Sequence, residues 1–219
     1  MLKTSPVEIK ICGLTNASDA CLAAELGADY LGLVFFARSP RAITAAQAQA
    51  IHRRLPPAAR LVGVFVDDTR ENVLRTAEVC ALHAVQLHGD EHARDFTGIP
   101  FPVWRAVHCR PDGSWQPDPA MWPAARYVVD SFHASRKGGT GITADWPRAR
   151  MLAGRYPCML AGGLTPDNVT EAILQTKPLG VDVASGIEKS PGRKDQVLMR
   201  RFIAAARAIP ASSFDEVHQ

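Results

Sequence analysis

The chain has no Cys-x-x-Cys pair: its five cysteines, Cys12, Cys21, Cys80, Cys109 and Cys158, are scattered and odd in number. That argues against a disulfide framework or a structural zinc site and for a reducing compartment. Charge bias is also missing, with 25 Lys plus Arg against 22 Asp plus Glu. No basic run stands out, so nucleic acid is not an expected partner. No apolar run is long enough to span a membrane, and Met1 to Pro6 carries no signal-peptide core, so a cytoplasmic protein away from membranes is expected. Low-complexity segments and domain boundaries are absent too. At 219 residues, 47% hydrophobic, the chain suits one domain spanning 1–219, with its core at about 7–209 and a loose polar tail over 210–219.

What is present is a recurring unit of short apolar strand, turn and amphipathic helix. Strands are expected at Val7 to Ile11, Tyr30 to Phe36, Leu61 to Val66, Ala84 to Leu87, Val103 to Val107, Tyr127 to Asp130, Cys158 to Ala161 and Gly180 to Ala184. Asn16 or Ser18, Thr44, Thr69, Asp90, Asp145, Thr165 (with Pro166 at the first helical position) and Asp195 mark helix starts. The fifth crossover carries Pro111, Pro117, Pro119 and Pro123 and is expected to be poorly helical. Eight near-regular units without an early Gly-rich nucleotide loop favour a single α/β (β/α)8 barrel of parallel strands over a doubly wound sheet.

In such a barrel the chemistry sits at the carboxyl ends of the strands. The residues expected there are Cys12, the Arg41 loop, Asp67, Gln86 to His88, Arg105, Asp130, Gly162-Gly163 and Ser185-Gly186. The glycine-rich turns after strands seven and eight suit a phosphate, because small residues let backbone N–H groups approach an anion. Ala184 to Glu188 reads as a short extra turn. Asp130 ends an apolar strand, so partial desolvation would raise its pKa and suit a general acid; Cys12 across the rim is the candidate base. His88-Gly89-Asp90-Glu91-His92 matches the zinc-peptidase pattern H-x-x-E-H, but that chemistry needs both histidines on one helix, and Gly89-Asp90 reads as a strand end and helix cap. No metal or cofactor is expected.

Together these residues resemble the phosphoribosylanthranilate isomerase family of tryptophan biosynthesis, from Lys10 to about Ile209. The resemblance rests on Lys10-Ile11-Cys12-Gly13-Leu14-Thr15, Ser39-Pro40-Arg41, Gln86-Leu87-His88-Gly89, Asp130-Ser131 with Gly138-Gly139-Thr140-Gly141, Ala161-Gly162-Gly163-Leu164, Val181 to Glu188, and Gly192-Arg193-Lys194-Asp195. It implies an Amadori rearrangement of N-(5-phosphoribosyl)anthranilate to the 1-deoxyribulose 5-phosphate derivative. Asp130 would protonate the ribose ring oxygen, and Cys12, as thiolate, would take the C2′ proton. Arg41 would pair with the anthranilate carboxylate, and Gly162, Gly163, Ser185 and Gly186 would hold the phosphate. Gln86, His88 and Asp182 complete the expected substrate contacts. A cysteine base needs thiolate character, for which the turn after Cys12, Lys10 or Arg41 is available. The expected partner is a small phosphorylated molecule, the expected assembly a monomer or homodimer. Ala184 departs from the family, which often has a second serine there. Neighbouring classes fit less well: the carboxy-lyase barrels would use a lysine and glutamates on the strand ends, the histidine-pathway sugar isomerase two aspartates, and a catalytically silent phosphate-binding barrel would have no need of Cys12 with Asp130.

Overall fold

The computed structural model describes residues 7–130, 145–210 and 213. Eight parallel strands form the barrel: β1 Glu8–Ile11, β2 Tyr30–Val34, β3 Leu61–Phe65, β4 Ala84–Leu87, β5 Val103–Cys109, β6 Arg126–Asp130, β7 Cys158–Leu160 and β8 Gly180–Val183. They pair in sequence order, and β8 closes on β1 with Lys10 opposite Asp182 and Ile11 opposite Val183. Around them lie α1 Ala17–Glu25, α2 Ala45–His52, α3 Arg70–Val79, α4 Ala93–Phe96, α5 Trp146–Ala153, α6 Val169–Thr176 and α7 Gln196–Arg207.

Side-chain alternation along the strands divides the core in two. Ile9, Ile11, Leu31, Leu33, Leu87, Val129 and Leu160 pack outward against the helices in the larger cluster. Their strand neighbours Tyr30, Val62, Ala84, Trp104, Val128, Met159 and Ala161 form a second cluster, which by that alternation fills the barrel interior. Each large side chain so buried contributes about 1.5–3 kcal/mol. The same parity directs Glu8, Lys10 and then Cys12 inward.

Helix starts follow their caps. The Asn16 side chain accepts from the Asp19 N–H, Thr44 and Gln47 form a reciprocal capping box, and Asp195 accepts from the N–H groups of Val197 and Leu198. Thr165 meets expectation in part: its hydroxyl accepts from the Asp167 N–H (3.3 Å) and its carbonyl from the Val169 N–H (3.1 Å). Regular helix starts only at Val169, because the Asn168 side chain reaches back to the Thr165 N–H (2.8 Å) and the Gly163 carbonyl (3.0 Å), making 165–168 a turn. Likewise α4 starts after His92, two residues beyond the expected Asp90. The proline-rich fifth crossover carries no helix; Trp115–Gln116 instead returns antiparallel along β5. The expected tail, except for 210 and 213, and the Gly138 to Gly141 loop lie outside the described residues. Among the described residues no helix is long and apolar enough to cross a membrane.

Candidate active site

The carboxyl rim encloses a cavity of about 840 Å³, open mouth included, whose lining contains Cys12, Arg41, Gln86, His88, Asp130, Gly162, Gly163, Asp182, Ser185 and Gly186. Every residue proposed above for catalysis or substrate contact therefore faces one space.

Cys12 continues β1 past its last regular residue, its N–H donating to the Val183 carbonyl at 2.8 Å. Gly32 on β2 makes room for it: a Cβ there would lie 2.8 Å from the Cys12 sulfur and 2.9 Å from its Cα. The thiol keeps some surface open to the cavity, yet protein surrounds it closely. Burial pushes it up from its ordinary value, and Lys10, followed by Lys194, works against that. Among the charged groups around the thiol, Lys10 below it favours the ionised form most. Lys10 is fully buried, with Nζ donating to Asp182 Oδ2 at 2.7 Å. Burial alone would drag this ammonium down, but Asp182 and Cys12 more than offset it, so its pKa lies above the ordinary lysine value.

Asp130 ends β6 nearly buried, and His88 Nε2 lies 3.6 Å from its Oδ2. The His88 ring is 5.6 Å from that of His108, which is in register with Asp130 on the neighbouring strand. Gln86, two residues before His88 on the same face, approaches His88 Nδ1 at 3.4 Å.

Arg41 lines the cavity but already has a carboxylate. Its Nε and Nη2 are 2.9 and 2.7 Å from the two oxygens of Glu188, which also accepts from Lys194 Nζ at 2.9 Å. Burial would raise the Glu188 carboxyl, yet Arg41 and Lys194 outweigh it and hold the group below the usual range. Lys194 in turn donates to the Ala184 carbonyl (3.0 Å), tying the hairpin of Glu188–Ser190 and Arg193–Lys194 to the turn beside β8. This Arg41–Glu188–Lys194 triad was not assigned as a unit from sequence. Its signal lay in the spacing of Glu188 and Lys194 about the hairpin glycine, Gly192 (φ +79°).

The turns after β7 and β8 are built from small residues. Gly162 and Gly163 take φ of +80° and +64°, a left-handed pair that glycine adopts without strain. Ser185–Ile187 forms the extra 3₁₀ turn, and a side chain on Gly186 would collide with the backbone carbonyl of Leu164.

Two residues placed at the rim stand apart. Arg105 alternates with the inward Trp104 and Ala106, so it points outward, donating to the carbonyls of Leu87 (2.9 Å) and Gly89 (2.6 Å) and to Glu91 (2.8 Å). Asp67 accepts from the Asp90 N–H at 2.6 Å and braces the same loop. The two histidines of the H-x-x-E-H segment lie on separate elements, His88 after β4 and His92 ahead of α4. Glu91 between them accepts from the N–H groups of Asp67 and Gly89 as well as from Arg105. Its carboxylate is a loop anchor.

Comparison with known proteins adds an independent line. Residues 9–205 match the family model described as N-(5'phosphoribosyl)anthranilate (PRA) isomerase. An N-(5'-phosphoribosyl)anthranilate isomerase of Pelobacter propionicus is 41% identical over 207 residues, covering 94% of this chain and 99% of the relative. The crystal structure of phosphoribosyl anthranilate isomerase from Thermotoga maritima superposes with a TM-score of 0.85 at 35% identity, covering 93% of this chain and all of the other. A further phosphoribosyl anthranilate isomerase structure, solved with reduced 1-(o-carboxyphenylamino)-1-deoxyribulose 5-phosphate, is similar at 34% identity and a TM-score of 0.78, over 93% of this chain and 100% of that one.

Proposed function

The chain belongs to the N-(5′-phosphoribosyl)anthranilate isomerase family of tryptophan biosynthesis, and on that premise we propose that its rim cavity carries out the Amadori rearrangement with Asp130 as general acid and Cys12 as general base. The observation that carries this reading is the sharing of one cavity by Cys12, Asp130 and the glycine turns after β7 and β8.

The phosphate sits against Gly162-Gly163 and Ser185-Gly186, where missing side chains let backbone N–H groups come close. Anchored there, the ribose is held between the acid on β6 and the base on β1, which turns proton transfer into a positioned, effectively unimolecular event. Asp130 protonates the ring oxygen, the ring opens to the Schiff base, and the C2′ proton becomes acidic. The Cys12 thiolate removes it, giving an enolamine that tautomerises to the ketone as C1′ gains a proton. Arg41 meets the anthranilate carboxylate with the edge of its guanidinium that Glu188 does not occupy; Glu188 fixes the plane of the group. Gln86, His88 and Asp182 complete the polar lining.

The test is the fate of hydrogen. Phosphoribosylanthranilate, generated in situ and turned over in D2O, is expected to yield the 1-deoxyribulose derivative with deuterium at C1′ and no hydrogen at C2′, read by NMR. Unchanged aldose after prolonged incubation with folded protein contradicts the proposal.

A further inference from the structure

Directly below the thiol the barrel interior holds an ion pair whose lysine has no part in the mechanism above. Lys10 and Cys12 are two residues apart on β1, so both point inward. Lys10 is completely buried, and its ammonium is fixed 2.7 Å from Asp182 Oδ2, the residue directly opposite it on β8. Its charge lies one inward position below the thiol on the same strand and favours the ionised form of that thiol. We infer that Lys10, braced by Asp182, is a positioning residue that holds Cys12 as the thiolate which abstracts the substrate proton; this rests on the assignment of Cys12 as base.

Stability alone does not account for the pair. Burying two ions costs about as much as their attraction returns, and apolar side chains of similar volume often serve a fold as well or better. What the pair supplies that apolar side chains cannot is a fixed positive charge under a sulfur. The groups facing Cys12 are Lys10 from its own strand, Asp182 from β8, Lys194 from the hairpin and Arg41 from the loop after β2. Lys10 is the foremost of those favouring the thiolate, while Asp182 opposes it more weakly. Asp182 therefore serves by keeping the ammonium in place. On the far side, Gly32 clears the space the thiol occupies.

The test is the pH dependence of Cys12 alkylation by iodoacetamide in the full chain, with Cys12 resolved from the other four cysteines by peptide mapping. Wild type, Lys10→Met, Lys10→Arg and the double variant Lys10→Met/Asp182→Asn are compared. Because Lys10→Met leaves Asp182 buried without its cation, the double variant removes both charges together. Both neutral variants should show at least about a tenfold smaller thiolate fraction at a given pH below the midpoint, with Lys10→Arg recovering most of it. Turnover should follow in Lys10→Met, whose side chain lies outside the cavity lining: kcat falls in parallel while KM changes by less than about twofold. Coincident titrations in folded variants overturn the inference, as does a raised KM with an unaltered titration. Failure of both neutral variants to fold assigns the pair to structure and overturns it as well. Failure of the base assignment looks different, for Cys12→Ala then retains turnover whatever the Lys10 variants do.

Discussion

A cysteine and an aspartate at strand ends were legible as sequence, because each closes a short strand-like run. Their surroundings were less so, since the triad that braces Arg41 joins residues 147 positions apart. Two predictions belong at this scale. Gly32→Ala puts a methyl group into the place of the Cys12 sulfur, at 2.8 Å, and against its Cα. Overpacking of this kind costs about 1–3 kcal/mol, and displacement of the proposed base should lower kcat more than it raises KM. Urea unfolding and steady-state kinetics on the purified variant check both; an unchanged kcat would detach the thiol's position from turnover. Glu188 gives a pH prediction. Its folded-state carboxyl titrates below the usual range, so its stabilising contribution is complete above the unfolded value of about 4.3 and is lost as pH falls through the lower folded value. Glu188→Gln should then be destabilised at neutral pH and lose less further stability than wild type below about pH 4, measured by urea midpoints at the two pH values.

For the elements, strand positions followed from apolar runs and helix starts from Asn16, Thr44, Thr69, Asp145 and Asp195, all of which cap as expected. Arg105 shows what was missed. Position at a strand end suggested the rim, but strand parity decides which face a residue takes, and the inward Trp104 sends Arg105 outward. Thr165 shows the other limit: its hydroxyl accepts from the Asp167 N–H, but the Asn168 side chain, bonded back to the Thr165 N–H, holds 165–168 as a turn and regular helix waits until Val169. The β4–α4 loop hangs on Glu91, whose side chain is 2% exposed beside Arg105 at 3%. Removing one partner of such a pair leaves the other buried and uncompensated, so Glu91→Ala should cost about 3–5 kcal/mol in urea unfolding. A loss below about 1 kcal/mol would mean that solvent reaches the pair.

The barrel as a whole was readable because eight apolar strands at near-regular spacing admit few closures, and the long-range β8–β1 seam needs no signal of its own once the count is eight. Its interior was not. Apolar runs buried on both faces carry little period-two signal, so which residues point inward had to come from the register. Closure also makes a prediction about the outer core. Burial pushes the Cys158 thiol on β7 up to about 12, so iodoacetamide at neutral pH should leave it unlabelled in the native protein and label it in urea. Labelling of Cys158 under native conditions, read by peptide mapping, would show that β7 opens locally.

The central claim is that one acid and one base on opposite sides of the rim isomerise the aromatic phosphoribosylamine. The most direct measurement follows the loss of anthranilate-type fluorescence from phosphoribosylanthranilate made in situ, with wild type, Cys12→Ser and Asp130→Asn compared at equal concentration of folded protein. The account predicts rapid turnover by the wild type and a fall of about 10²–10⁴-fold in each variant, with binding of a phosphorylated product analogue kept. Turnover by either variant within about threefold of wild type would contradict it.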